Sequence, residues 1–164
     1  MEVDMISLII FDADNTLVDR ATGDFLPGVR EYLDLLNHPG CRNRPALAIA
    51  TNQGGPACHD AGWGEHYPTL ARVEARYGEL AEQVGGRLYM SLLYLGKKGD
   101  AYVPAGIHPA DLRLRSDWRK PEPGMLHQAM LDAGAAPAAG CAFQWAQKFF
   151  SRGWQPGQDW GLHR

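Results

Sequence analysis

The sequence contains few of the features that mark disulfide-rich or metal-knuckle proteins. Its 164 residues include only three cysteines, Cys41, Cys58 and Cys141. An odd number at such wide spacing indicates neither a disulfide framework nor a zinc site built from paired cysteines. Cys58 and His59 are adjacent metal-ligand types, but no second close pair accompanies them, so packed or surface thiols are the preferred interpretation.

Strong charge and long hydrophobic runs are also missing. The net charge of −3 provides no overall polycation for nucleic acid or membranes, and no apolar run approaches the roughly 18 residues of a membrane span. The N-terminus, Met1-Glu2-Val3-Asp4, is acidic and lacks the basic region of a signal peptide. We therefore expect a cytoplasmic protein without membrane contact, folded as a single domain over residues 1–164.

The most informative stretch is residues 6–19, where an apolar run ends in two carboxylates. Ile6 to Phe11 has the composition of a buried parallel strand, and Asp12 and Asp14 follow it directly. Ligands of open α/β sheets bind at the carboxyl ends of strands. Two acids there can act as nucleophile and proton donor or hold a divalent cation, although a strand leading into an acidic turn is equally common.

The next segments predict a strand–helix–strand unit. After Pro27, apolar residues recur with helical spacing from Val29 to Leu36, and residues 45–50 form a second apolar run. Short connections make these strands parallel neighbours. Thr51 then lies at the same sheet edge as Asp12.

Further elements follow in alternation. Thr69 is a candidate cap for a helix that Gly85 ends and whose apolar, core-facing stripe includes Tyr77. Residues 88–95 predict a third parallel strand. Another helix begins near Pro123, residues 141–145 favour a short strand, residues 146–152 allow a last helical turn or two, and residues 153–164 form an irregular tail. Residues 54–68 and 96–120 are predicted to be long loops, which usually indicates function or mobility.

Both loops carry side chains that can contact a substrate. The second has six basic residues against three acidic ones, which indicates either a solvated loop or attraction of an anionic substrate. The aromatic residues are able to stack on a base or to pack the loops themselves. They are Trp63, Tyr67, Tyr102 and Trp118.

Three motifs in order resemble the haloacid dehalogenase (HAD) superfamily. FDADNTLVD (residues 11–19) is similar to its first motif, ATNQGG (50–55) to its second, and WRKPEPGM (118–125) to its third. The TN form of the second motif resembles the subclass III phosphatases. The resemblance covers roughly residues 5–150. It implies a Rossmann-like three-layer α/β/α fold with a mostly parallel sheet of four to five strands and no large cap domain.

The resemblance also implies roles for individual residues. Asp12 would be the nucleophile that forms an aspartyl-phosphate, and Asp14 the acid and base that serves the leaving group and then the water. Thr51 and Lys120 would neutralise phosphoryl charge. Mg²⁺ would bind Asp12 and Asp14, the latter through its backbone carbonyl. Further phosphate-binding residues would be Thr16, Asn52 and Gln53.

The fourth motif of that family, an acidic GDxxxD-like segment that completes the magnesium site, has no counterpart here. No Asp or Glu lies between Asp132 and Asp159. Gln144 and Asp159 are the substitute ligands that the sequence offers. Two functions follow: a magnesium-dependent phosphomonoester hydrolase, or a catalytically impaired HAD-like domain that binds phosphate or a partner.

The expected substrate is a phosphorylated small molecule, a nucleotide or a nucleic-acid end, because a site without a large cap admits bulky molecules. Hydrolysis of carbon–halogen bonds uses the same nucleophile but needs no proton donor, so Asp14 argues against it. We expect a monomer or a weak homodimer.

Overall fold

A computed structural model describes residues 6–41 and 44–135 of the chain. Its elements, in chain order, are β1 (Leu8–Phe11), α1 (Val29–Asn37), β2 (Ala46–Asn52), α2 (Gly55–Asp60), α3 (Leu70–Val84), β3 (Arg87–Ser91), β4 (Tyr94–Leu95), β5 (Ala101–Tyr102) and α4 (Gly124–Asp132). Two single-turn 3-10 helices, Leu112–Leu114 and Ser116–Trp118, precede α4.

The described strands form a parallel sheet and a small hairpin. The sheet has the order β1-β2-β3, with Phe11 beside Ile49 and Thr51 beside Met90. β4 and β5 pair antiparallel as a separate two-stranded unit. The prediction of an α/β fold with parallel neighbours is therefore confirmed. The strand predicted at residues 141–145, the helical turns at 146–152 and the tail at 153–164 lie outside the described residues.

Side chains of successive strand residues enter two cores on opposite faces of the sheet, as the period of two demands. Phe11, Leu47 and Ile49 join the cluster that holds the buried faces of α1 and α3. Ala48 and Ala50 join the second cluster, which contains residues of α4. Small residues on that face of β2 let α4 approach the sheet closely.

The predicted helices form because their caps and apolar spacing agree. Thr69 accepts a hydrogen bond from the backbone N of Arg72, and Gly85 ends α3 with a φ of 71°. α1 buries Val29, Tyr32, Leu33 and Leu36, the residues that the helical period selected. Within the described residues, no helix is long and apolar enough to cross a membrane.

Three segments differ from the expectation. The predicted loop 54–68 contains α2, where Pro56 stands in the first turn and needs no intrahelical hydrogen bond. The predicted strand 88–95 stops at Ser91, since the backbone N of Leu92 donates to Arg113 O instead of extending the parallel ladder. The predicted loop 96–120 contributes β5 and both 3-10 turns. An apolar run shows that a segment is buried but not where its backbone leaves the sheet.

Candidate functional site

A tight turn after β1 presents Asp12 to solvent. The backbone N groups of Leu17 and Val18 both donate to Ala13 O, and Asn15 adopts a left-handed φ of 58°. Ala13 is fully buried, whereas the Asp12 side chain is 46 % exposed. The turn therefore anchors the chain just beyond a carboxylate that a ligand can reach.

Lys120 reaches this carboxylate from a distant part of the chain. Its Nζ lies 2.7 Å from Asp12 Oδ1 and 2.8 Å from the carbonyl oxygen of Ala50, 108 residues separating the charged partners. Asp12 Oδ1 also accepts from the backbone N of Ala13 at 2.9 Å. Both donors bind Oδ1, and no donor in the described part of the chain is bound to Oδ2.

Asn52 fixes the backbone that carries Lys120. Its amide Nδ2 donates to Lys120 O at 2.9 Å, and its Oδ1 accepts from Lys120 N at 3.0 Å. The Lys120–Pro121 peptide bond is cis. Because Asn52 ends β2, the lysine is held against the strand that lies beside β1.

Asp14 is largely covered by neighbouring side chains, with 20 % of its own side chain exposed. The Tyr77 hydroxyl lies 2.8 Å from Oδ1 and 3.0 Å from Oδ2, and Gln53 Nε2 donates to Oδ2 at 3.1 Å. The Arg76 guanidinium lies 3.9 Å from Oδ1. These contacts fix the plane of the carboxyl group.

Gln53 also ties Asp14 to Thr51. Its amide donates to Thr51 Oγ1 at 3.0 Å, and its backbone N donates to Ser91 O at 2.6 Å. Thr51 is only 1 % exposed. The ends of β2 and β3 and the turn after β1 are thereby joined into one hydrogen-bonded edge.

An aromatic cluster stands next to this edge. A Cβ on Gly54 would lie 2.9 Å from Tyr94 Cβ, so glycine lets the β4–β5 hairpin pack against the segment after Thr51. Trp63 packs edge-on against Tyr94 and Tyr102 at centroid distances of 5.2 and 4.9 Å, and stays 40 % exposed. Tyr67 joins it at 6.5 Å.

Trp118 belongs to the core instead of this cluster. It is 9 % exposed, packs with residues of the second core, and donates its indole N–H to Met90 O at 3.1 Å. The indole therefore packs the segment before Lys120 onto β3. Of the two interpretations left open for this tryptophan, packing is confirmed.

Two of the six basic residues of the second loop, Arg113 and Arg115, are paired with neighbouring acids. Arg113 bonds Asp111 and Glu74, both within 2.8 Å, and lowers the pKa of the Asp111 carboxyl. Arg115 pairs with Asp117 and likewise lowers the pKa of that carboxyl. Their positive charges are paired with acids of the loop and of α3. For these two arginines, this favours the solvated-loop interpretation over attraction of an anionic substrate.

The residues present suit a weakly held magnesium ion. Within residues 6–41 and 44–135, no group of three or more His, Cys, Asp or Glu side chains is arranged to hold a metal. Of the two acids that follow β1, Asp12 offers the accessible carboxylate, since both oxygens of Asp14 are contacted by the Tyr77 hydroxyl. Mg²⁺ accepts one or two carboxylates completed by waters and substrate phosphate, so the donor set fits that ion in this limited form.

Six of the seven residues selected from the sequence meet at this edge through the bonds described above: Asp12, Asp14, Thr51, Asn52, Gln53 and Lys120. Thr16, the seventh, is half-buried in the turn after β1, where its backbone N donates to Ala13 O at 3.3 Å. Tyr77 and Arg76 were not predicted. The apolar spacing of α3 assigned Tyr77 to the core, and nothing in that spacing shows where its hydroxyl points.

The described chain is thus an α/β protein whose parallel sheet carries an exposed carboxylate, a lysine paired with it and a largely covered second carboxylate at its carboxyl edge. No protein-family model matches the chain, and no curated protein sequence matches it either.

Proposed function

We propose that the chain is a magnesium-dependent phosphomonoester hydrolase of the HAD type that works through an aspartyl-phosphate on Asp12. The supporting observation is the contact of Lys120 Nζ with Asp12 Oδ1 at 2.7 Å. Asp12 and Lys120 come from opposite ends of the described chain and belong to motifs that resemble one family. A lysine and an aspartate held together at a strand end suit the transfer of an anionic group.

In the first step, a carboxylate oxygen of Asp12 attacks phosphorus and the bond from phosphorus to the ester oxygen breaks. Asp14, in its protonated form, gives its proton to the departing alcohol. In the second step, water attacks the phosphorus of the aspartyl-phosphate, Asp14 takes a proton from that water, and the Asp12 carboxylate is released with inorganic phosphate. Protons and charges balance over the two steps.

The reaction mainly requires stabilisation of the negative charge on the phosphoryl group that is transferred. Lys120 supplies a positive charge beside Asp12, and the buried Thr51 hydroxyl and the backbone that follows it supply dipoles. When bound at Asp12, magnesium would neutralise further phosphate charge. Thr16, Asn52 and Gln53 remain predicted phosphate-binding residues, and Asn52 has the additional task of holding the Lys120 backbone.

The complete fold proposed here is a Rossmann-like three-layer domain with a sheet of four to five strands. The described part already places helices against both faces of the parallel sheet. Only the short helix α2 separates β2 from α3, and only the hairpin and the two 3-10 turns separate β3 from α4. These short connections leave room for a phosphorylated small molecule, a nucleotide or a nucleic-acid end. We propose a cytoplasmic monomer or weak homodimer.

Hydrolysis of 4-nitrophenyl phosphate with and without Mg²⁺ tests the proposal. Asp12→Asn should lower the rate at least about a thousandfold, because an amide is not a competent nucleophile here. Asp24→Asn is the matched control, since Asp24 is an exposed carboxylate close by in the same segment. Activity that persists in Asp12→Asn would exclude the aspartyl-phosphate mechanism.

The limited metal ligand set favours a second candidate function, a phosphate- or partner-binding domain with little turnover. It predicts binding of inorganic phosphate that Lys120→Met weakens, together with no hydrolysis across a broad panel of phosphate esters. Robust turnover of any ester in that panel would dismiss this candidate.

A further inference from the structure

Asp14 is contacted by hydrogen-bond donors that have no role in the proposed reaction. An acid and base must present one oxygen to the leaving group in a fixed direction. Asp14 receives its contacts from Gln53, which directly follows β2, and from the adjacent Arg76 and Tyr77 on α3. A residue of the helical layer therefore contacts a side chain that acts at the sheet edge.

We infer that Tyr77 is a positioning residue for Asp14: its buried hydroxyl holds the carboxyl group in the orientation that proton transfer to the leaving alcohol requires. This inference rests on the proposed hydrolase function. It assigns Tyr77 no contact with substrate, and it separates Tyr77 from the core residues that surround it on α3.

Two observations support the assignment. The hydroxyl bridges both carboxylate oxygens, at 2.8 and 3.0 Å, so rotation of the carboxyl group breaks a contact in either direction. Tyr77 is 3 % exposed and packs within the larger core, so its ring has little freedom.

Arg76 strengthens the same connection from the neighbouring position. Its Nη2 donates to Arg20 O at 3.1 Å and to Asp19 O at 3.4 Å, which binds the segment after the Asp14 turn to α3. The backbone and the side chain of this turn are therefore both held by one turn of α3. Gln53 cannot replace Tyr77, because its amide is shared between Asp14 and Thr51.

The dependence of rate on leaving group distinguishes positioning of an acid from general support of the fold. An alkyl phosphate needs protonation of its poor leaving group, whereas 4-nitrophenolate departs with little help. The value of kcat/KM depends only on the steps up to departure of the leaving group, so the rate of aspartyl-phosphate breakdown does not affect it. The probes are glycerol phosphate and 4-nitrophenyl phosphate.

For Tyr77→Phe, we expect kcat/KM to fall about 10- to 100-fold with glycerol phosphate and much less with 4-nitrophenyl phosphate. In an Asp14→Asn background, the same change should no longer alter the ratio of the two substrates. Tyr89→Phe is the matched control, because Tyr89 is also buried and donates to an aspartate, Asp132, at 2.7 Å, but packs in the other core. It should leave the substrate ratio unchanged.

An equal fall with both substrates in Tyr77→Phe would overturn the inference and assign the hydroxyl to stability alone. Thermal unfolding of each variant identifies loss of folded protein as a separate cause. If the wild-type chain hydrolyses neither ester, the proposed function itself fails. If it hydrolyses both and only the ratio test fails, the proposed function stands without a positioning role for Tyr77.

Discussion

At the scale of single residues, the site depends on how Asn52 and Lys120 are joined. The amide of Asn52 makes two hydrogen bonds to the Lys120 backbone, and Lys120 Nζ then contacts Ala50 O and Asp12. A flexible lysine side chain loses considerable rotamer entropy when it is fixed. The backbone and the Nζ of Lys120 are both bonded to residues of β2, so only the side-chain carbons between these two points keep rotational freedom.

Asn52→Ala should therefore disturb the position of Lys120 while leaving its charge in place. We expect kcat/KM for 4-nitrophenyl phosphate to fall about tenfold or more, and the free energy of unfolding to drop by about 1–3 kcal/mol for two lost hydrogen bonds. Asn37→Ala is the control, since Asn37 bonds Val84 O just before β3 begins, at the opposite edge of the sheet. Asn37→Ala should lower the free energy of unfolding without lowering kcat/KM. An equal loss of rate in Asn37→Ala and Asn52→Ala would refute the proposed role of Asn52 in holding Lys120.

The residues of this site differ in how far sequence could predict them. Asp12 follows the first strand of a predictable strand–helix–strand unit and Thr51 lies at the end of the second, so their shared edge follows from topology. Lys120 precedes a helix after a long irregular segment, and only the family resemblance selected it. Tyr77 was beyond prediction because a helical stripe indicates which side faces the core but not which polar atom lies at the end of a ring.

At the scale of elements, the hairpin and α2 build one wall beside the sheet edge. Trp63 follows α2 and packs against both strands of the hairpin, with Gly54 permitting the close approach. Sequence predicted one strand through residues 88–95, and the structure divides it at Ser91. Beyond the division, Tyr94 pairs with Tyr102 in the hairpin, and both rings contact Trp63. The division coincides with the bond from Leu92 N to Arg113 O, which local sequence patterns do not contain.

This wall gives a prediction about the leaving group. Trp63 remains 40 % exposed beside the segment that bears Thr51, so its ring is accessible to a base. Trp63→Ala should therefore raise KM for a nucleoside monophosphate about 5- to 50-fold, because one base-stacking contact is lost. KM for glycerol phosphate should change little. Leu131→Ala on α4, a highly exposed apolar residue, is the control. An equal change in KM for both substrates after Trp63→Ala would exclude stacking.

At the scale of the whole molecule, the site exists only when distant segments fold together. The acids follow β1, Thr51 and Asn52 end β2, Lys120 lies just before α4, and Tyr77 lies on α3. An unfolded chain does not bring these groups together. Ligands of the site should therefore stabilise the fold by mass action, in proportion to their binding to the native state alone.

Inorganic phosphate with Mg²⁺ should raise the melting temperature of the wild-type protein. At ten times its dissociation constant, a ligand of the folded state adds about 1.4 kcal/mol, which corresponds to roughly 3–6 °C for a domain of this size. Lys120→Met removes the positive charge beside Asp12, so the same additions should produce little or no shift. Scanning calorimetry at fixed ionic strength, with chloride in place of phosphate, separates binding from a general salt effect. A shift of the same size in Lys120→Met would place phosphate elsewhere on the molecule, because no other ammonium group of the described residues contacts Asp12.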